Sequence, residues 1–176
     1  MKKTFVVILT VLLCFNFTSC KRKSAVTVAS QTANEWSHGE IYGNTYISEF
    51  AGIKFTKDVD WEFIENKQFP EIEMTAEHKA VDTVEVIIQK TDETSLKKSI
   101  EDSRKKYEDL KYNVTGIQKK KLYGKEHFSF DGRLTDAPFD FRCYQRIEGD
   151  YVITINIFST FDSIEKIESM FSELTS

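Results

Sequence analysis

Cysteine and histidine are scarce in this chain, with three of each in 176 residues. The histidines, His38, His78 and His127, are far apart and show no i, i+4 or similar ligand spacing. A zinc site needs three or four protein ligands, so no metal site is expected. No glycine-rich phosphate loop occurs, and no G-x-S-x-G nucleophile elbow; no cofactor is expected either. Paired carboxylates do occur, as in Glu71 with Glu73 or Asp136 with Asp140, but in so acidic a chain solvated faces explain them. Net positive charge is also missing. The formal charge is −4, which argues against nucleic acid as a partner. No internal repeat is present. These absences leave no catalytic set in view, so a binding protein is favoured over an enzyme.

Long apolar runs are missing too. The longest, Thr4 to Phe17, falls short of the roughly 20 residues of a membrane-spanning helix. It follows Lys2 and Lys3 and ends in small residues, the pattern of a secretory signal peptide. The end reads Phe17-Thr18-Ser19-Cys20. This resembles the lipobox of bacterial lipoproteins, and the resemblance covers the first 20 residues. It implies cleavage after Ser19 and a diacylglyceryl group on Cys20. Two or more acyl chains hold a protein stably at a bilayer. Lys21, Arg22 and Lys23 would then lie at the headgroups, where each adds about 1 kcal/mol near an anionic surface. A plain signal peptide with a chance cysteine is the alternative.

With residues 1–19 removed, 22 cations face 28 anions and the charge becomes −6. Cys143 is then the one thiol left beside Cys20, so neither an internal disulfide nor a cysteine metal cluster is expected. The expected organisation is a signal peptide over 1–19, a flexible tether over 20–36 and one domain over 37–176. The stretch "SAVTVASQTAN" within the tether is small, polar and aperiodic. The domain is long enough to bury a substantial core.

Alternation in "GNTYISEFAGIKFTK" predicts two short strands about the turn Ala51-Gly52. "WEFIE" and "TVEVIIQK" predict two more. Residues 66–80 read as a short helix or an irregular loop. A helix is predicted from about Ser95 to Leu110, capped by Thr94, with Leu96, Ile100, Ser103, Tyr107 and Leu110 on one stripe. Strands follow over 114–122 and 127–131, then a loop "DGRLTDAP". Residues 139–147 and 151–158 predict a hairpin about Glu148-Gly149-Asp150. A closing helix is predicted from a capping box at Asp162 and Glu165, with Ile164, Ile167, Met170, Phe171 and Leu174 buried. Strands and helices intermixed with tight turns predict an α+β domain with a mainly antiparallel sheet. Lys119, Lys120 and Lys121 suit an edge strand, where lysines resist sheet-to-sheet association.

"NTYISEFAGIKFTKDVDWEF", "YGKEHFSFDGRL" and "FRCYQRIEGDYVITINIFST" resemble small bacterial lipoproteins of PsbP-like fold. The resemblance spans nearly the whole domain. It implies an antiparallel sheet with packed helices and no particular activity. The group includes a photosystem subunit and a nuclear-transport factor, and its members are mostly interaction or assembly modules.

The hairpin supplies the site candidates. Pairing Ile147 with Tyr151 would place Arg142, Tyr144, Arg146 and Asn156 on one face. Arginine forks suit carboxylate or phosphate, so that face could take a small anionic ligand or a protein partner. A solvent face stitched by cross-strand ion pairs is the alternative. Cys143 would lie opposite, in the core with Phe139, Phe141 and Ile147, as a small apolar group rather than a nucleophile. The loop from Arg133 to Pro138 is a smaller candidate. The expected function is a lipid-anchored module on the extracytoplasmic side of the bacterial cell envelope, without catalysis. An accessory subunit of an envelope complex, or an envelope enzyme, are the alternatives.

Overall fold

Alternating apolar residues drive most of this architecture. Trp36–Ser176 forms one unit. The computed structural model describes residues 36–174 apart from 66–68, 80, 93–94, 136–138 and 161. The expected signal peptide, Cys20 and all of the expected tether but Trp36 lie outside the described residues.

The element order is β1 (Glu40–Tyr42), β2 (Thr45–Ser48), β3 (Ile53–Thr56), β4 (Trp61–Ile64), β5 (Ile72–His78), β6 (Asp82–Lys90), α1 (Leu96–Asp109), β7 (Tyr112–Val114), β8 (Gln118–Leu122), β9 (Lys125–Leu134), β10 (Asp140–Glu148), β11 (Tyr151–Ser159), α2 (Ile164–Glu168) and β12 (Phe171–Glu173). They build two sheets. The smaller runs β1-β2-β3-β12, and the larger runs β4-β5-β6-β11-β10-β9-β7 with β8 also on β9. Every described strand pair is antiparallel. The fold is therefore α+β with a dominant antiparallel sheet, as the sequence predicts.

The main core lies between the sheets. Val84, Val86 and Ile88 of β6 pair with Ile157, Ile155 and Ile153 of β11, so one face carries a continuous branched row. Tyr46, Ile53 and Phe55 of the smaller sheet close on it, with Ile167, Met170 and Phe171. The Phe55 ring stands 4.8 Å from Phe171 and 6.3 Å from Phe63. α1 covers the opposite face. Tyr107 stacks on Phe141 at 4.2 Å, and Gln145 donates to Ser103 Oγ (2.9 Å) and accepts from Ser99 Oγ (3.2 Å). Cys143 is buried there. The predicted stripe of α1 holds through Ile100, Ser103 and Tyr107.

Four predicted elements differ. Residues 72–78 form strand β5 rather than a helix or loop. The Met, Ala and Glu residues of this stretch favour helix, but Met74, Ala76 and His78 alternate inward against β6. The register shifts between Ile72 and Met74, a bulge that bends the strand. Residues 131–134 belong to β9, not to a loop. The 114–122 strand divides into β7 and β8. The closing helix is only five residues long, capped by Ser163 rather than Asp162. The chain then leaves the helix because Phe171 pairs with Phe55 at the sheet edge. At α1, Ser95 Oγ accepts the Lys98 N–H, so Ser95 is the cap; Thr94 lies outside the described residues.

Candidate functional site

The hairpin register decides which side chains share a face. β10 and β11 turn through the two-residue loop Gly149-Asp150, with Glu148 opposite Tyr151. Gly149 occupies the left-handed region (φ 57°), as a two-residue hairpin with glycine first requires. The register is thus one residue off the Ile147–Tyr151 pairing. Asn156 lies opposite Cys143, on the α1 side of the sheet. It does not share a face with Arg142, Tyr144 and Arg146, because one residue of slip moves a side chain through the sheet.

Those three do share a face, and it is interior. Tyr144 and Arg146 are 1% and 7% exposed. Arg146 donates to the Ala51 carbonyl (2.5 Å), to Tyr123 Oη (3.1 Å) and to Glu148. Tyr123 in turn meets His127 Nε2 at 3.0 Å. Arg142 forks onto Asp131 through Nε (2.6 Å) and Nη2 (3.1 Å), while Nη1 donates to Glu168 (2.5 Å). Tyr144 donates to the same Glu168 oxygen. Burial works against the Arg142 charge, but Asp131 and Glu168 outweigh it and raise its pKa. Burial also opposes ionised Asp131, yet Arg142 and Lys120 hold its carboxyl below the ordinary range. Both arginines are thus committed to the protein's own acceptors. The physical case for an anionic ligand on this face goes with them.

What opens beside Arg142 is a cleft of about 450 Å³ at the end of β7, β9, β10 and β11, next to α2. Arg142 forms part of its lining. Asp131, Asp140, Asp162 and Glu165 line it against Arg133 and Arg142, so its charged lining is net acidic. Arg133 and Asp140 pair across neighbouring strands through Nη2 and Oδ2 (2.6 Å). The Arg133 hydrogen bond holds Asp140 below the ordinary carboxylate range against modest burial. Of the candidate loop 133–138, Arg133 belongs to β9 and lines this cleft; residues 136–138 lie outside the described residues.

Behind the cleft wall stands a cluster that the sequence analysis missed. His78 at the end of β5, Asp82 at the start of β6 and Asp162 before α2 bring three ligand-type atoms within 4.8 Å of one another. His78 and Asp82 meet as partners across a tight turn. The readable signal was the H-x-x-x-D spacing, visible once β5 is recognised as a strand. Asp162, some 80 residues on, had no signal. A separate polar row crosses the α1 face. Glu85 is fully buried and accepts from Asn156 Nδ2 at 3.4 Å. Burial pushes its pKa up to about 7, opposed by the Asn156 hydrogen bond and reinforced by Glu77.

No family description and no curated protein matches this chain. Solved structures do. The solution structure of cyanobacterial PsbP from Synechocystis superposes with a TM-score of 0.54 at 14% identity, covering 80% of this chain and 99% of that one. The fold is therefore PsbP-like. A Mycobacterium tuberculosis protein, LpqN, described as involved in cell envelope biogenesis, gives 0.49 at 12% identity over 68% of this chain and 82% of its own. A Bacteroides thetaiotaomicron structure gives 0.46 at 9% identity over 77% and 50%. No described helix is long and apolar enough to cross a membrane.

Proposed function

We propose that this chain is an extracytoplasmic binding module, tethered to the bacterial envelope by lipid on Cys20, that receives its ligand in the cleft beside Arg142. The observation that carries the binding reading is the acidic cleft itself. Its volume falls within the range of small-molecule sites, about 300–1,000 Å³. Asp131, Asp140 and Asp162 are paired with Arg142, Arg133 and Lys166, so exposed Glu165 is the lining carboxylate most open to a cationic group, the amine or guanidinium of a peptide or small molecule. The leader sequence and the lipobox-like end at Cys20 support the anchor.

Two experiments test this. Mass spectrometry of the native amino-terminal peptide should find a diacylglyceryl group on Cys20, and Cys20→Ala should release the protein from membranes. An unmodified thiol removes the anchor. A photo-crosslinker at Asn113, on the cleft rim, should give a discrete adduct in intact cells that Glu165→Lys abolishes. The same probe at Lys97 on α1 should give none. Equal labelling at both positions, or indifference to Glu165→Lys, removes the cleft.

A second reading, an accessory subunit, draws on β1. This edge strand exposes Ile41 and Tyr42, and exposed apolar residues on an unpaired edge suit assembly with a partner.

A further inference from the structure

The His78, Asp82 and Asp162 cluster holds one long hydrogen bond, between His78 Nδ1 and Asp82 Oδ2, and leaves Asp162 Oδ2 without one. His78 Nδ1 stands 3.3 Å from Asp82 Oδ2 and 3.4 Å from Asp162 Oδ2. A charge-assisted N–H···O bond is shorter, about 2.7–2.9 Å. A single Nδ1–H also cannot point along two directions. Asp162 Oδ2 is in fact buried and accepts no hydrogen bond, although its neighbour is so near. A cation bound through bonds of about 2.0–2.1 Å in a tetrahedron sets its ligand atoms about 3.3–3.4 Å apart. Both nitrogen-to-oxygen distances match that edge, and the two carboxylate oxygens lie within 4.8 Å of each other.

The surroundings hold the three side chains in place. His78 and Asp82 are 6% and 0% exposed. Trp61 stacks on the His78 ring at 5.6 Å and 25°. The Asp82 carboxylate accepts the Thr160 N–H (2.6 Å) at Oδ1 and the Asp162 N–H (3.1 Å) at Oδ2. Lys166 Nζ holds the other Asp162 oxygen, Oδ1, at 2.9 Å, which leaves Oδ2 turned to the imidazole. Outer contacts of this kind orient metal ligands.

We propose that His78 Nδ1, Asp82 Oδ2 and Asp162 Oδ2 bind a divalent first-row transition cation of the zinc class, with a fourth position left to water or to a ligand. One imidazole and two carboxylates suit zinc or its neighbours. Calcium and magnesium demand six or more oxygens. The inference goes beyond the binding-module reading and depends on neither the lipid anchor nor the cleft ligand.

The test uses the full chain in mild detergent, stripped with a chelator and titrated with zinc by calorimetry. One ion per chain is expected, with magnesium unable to compete. Asp162→Asn keeps the shape of a partly exposed side chain and should weaken zinc binding by about tenfold or more. The unsubstituted chain supplies a second readout that needs no variant. NMR of the imidazole nitrogens should show zinc shifting the His78 Nδ1 signal. No zinc uptake overturns the proposal. So does unchanged affinity in Asp162→Asn, or a shift at His38 or His127 in place of His78.

Discussion

Arg142 on β10 and Glu168 on α2 meet 2.5 Å apart, Nη1 to Oε1, and Tyr144 donates to the same carboxylate oxygen. Together with the fork onto Asp131, this contact ties the short helix to the large sheet. Removing one partner of a largely buried ion pair strands the other. Arg142→Ala should cost about 2 kcal/mol or more in urea unfolding. Arg142→Lys should recover little of it, because a single ammonium cannot span Asp131 and Glu168 as a guanidinium fork does. Arg133→Ala, at an exposed pair, should change stability far less.

Gly132 of β9 lies opposite Phe141 of β10. A methyl group on Gly132 would overlap the Phe141 ring. That ring cannot yield, being fully buried among Tyr107, Tyr112, Phe130 and Phe158. Gly132→Ala should therefore destabilise the domain by about 1–3 kcal/mol. Gly116→Ala, where open space surrounds the position, is the control and should leave the unfolding midpoint nearly unchanged.

Glu85 makes stability depend on pH in the neutral range. Its pKa is about 7 in the fold, against an ordinary 4.5. Between those values the folded state binds more protons than the unfolded chain. Its contribution is thus most favourable below about pH 4.5, declines as pH rises through about 7, and is flat above. The full span corresponds to about 3 kcal/mol. Glu85→Gln should abolish that decline and raise the melting temperature at pH 8 by several degrees. Equal melting temperatures for the two proteins at pH 8 would contradict the buried carboxyl.

His127 acts at the other end. Burial lowers its pKa to about 4 from 6.5, opposed by its contact with the Lys125 carbonyl and reinforced by Arg146. The unfolded chain therefore binds more protons between those values. Its contribution is complete above about pH 6.5 and lost as pH falls through about 4. Unfolding curves of His127→Asn should lack this acid loss. Because Glu85 and His127 slope in opposite directions between about pH 4.5 and 6.5, the wild-type profile is flatter there than either variant's.

Much of the fold was legible because a strand's alternation is a local property. Val84, Val86 and Ile88, or Phe141 and Cys143, announce their face without reference to anything distant. The α1 stripe of Ile100, Ser103 and Tyr107 was legible for the same reason at helical spacing. The candidate site was less legible. Arg142, Tyr144 and Arg146 were rightly grouped on one face, but nothing near them in the chain says that a second sheet covers it. Asn156 was misplaced by a single residue of hairpin slip.

Composition and local pattern determined the class of the domain, its antiparallel character and the inward-facing Cys143. All of these depend on neighbours a few positions apart. Only the tertiary structure decided that the arginines answer to Asp131, Glu168 and Ala51, that the chain after α2 becomes a strand beside Phe55, and that His78 and Asp82 meet Asp162. Those pairings join residues up to 95 positions apart. Their partners are chosen by how two sheets pack, which no stretch of sequence encodes by itself.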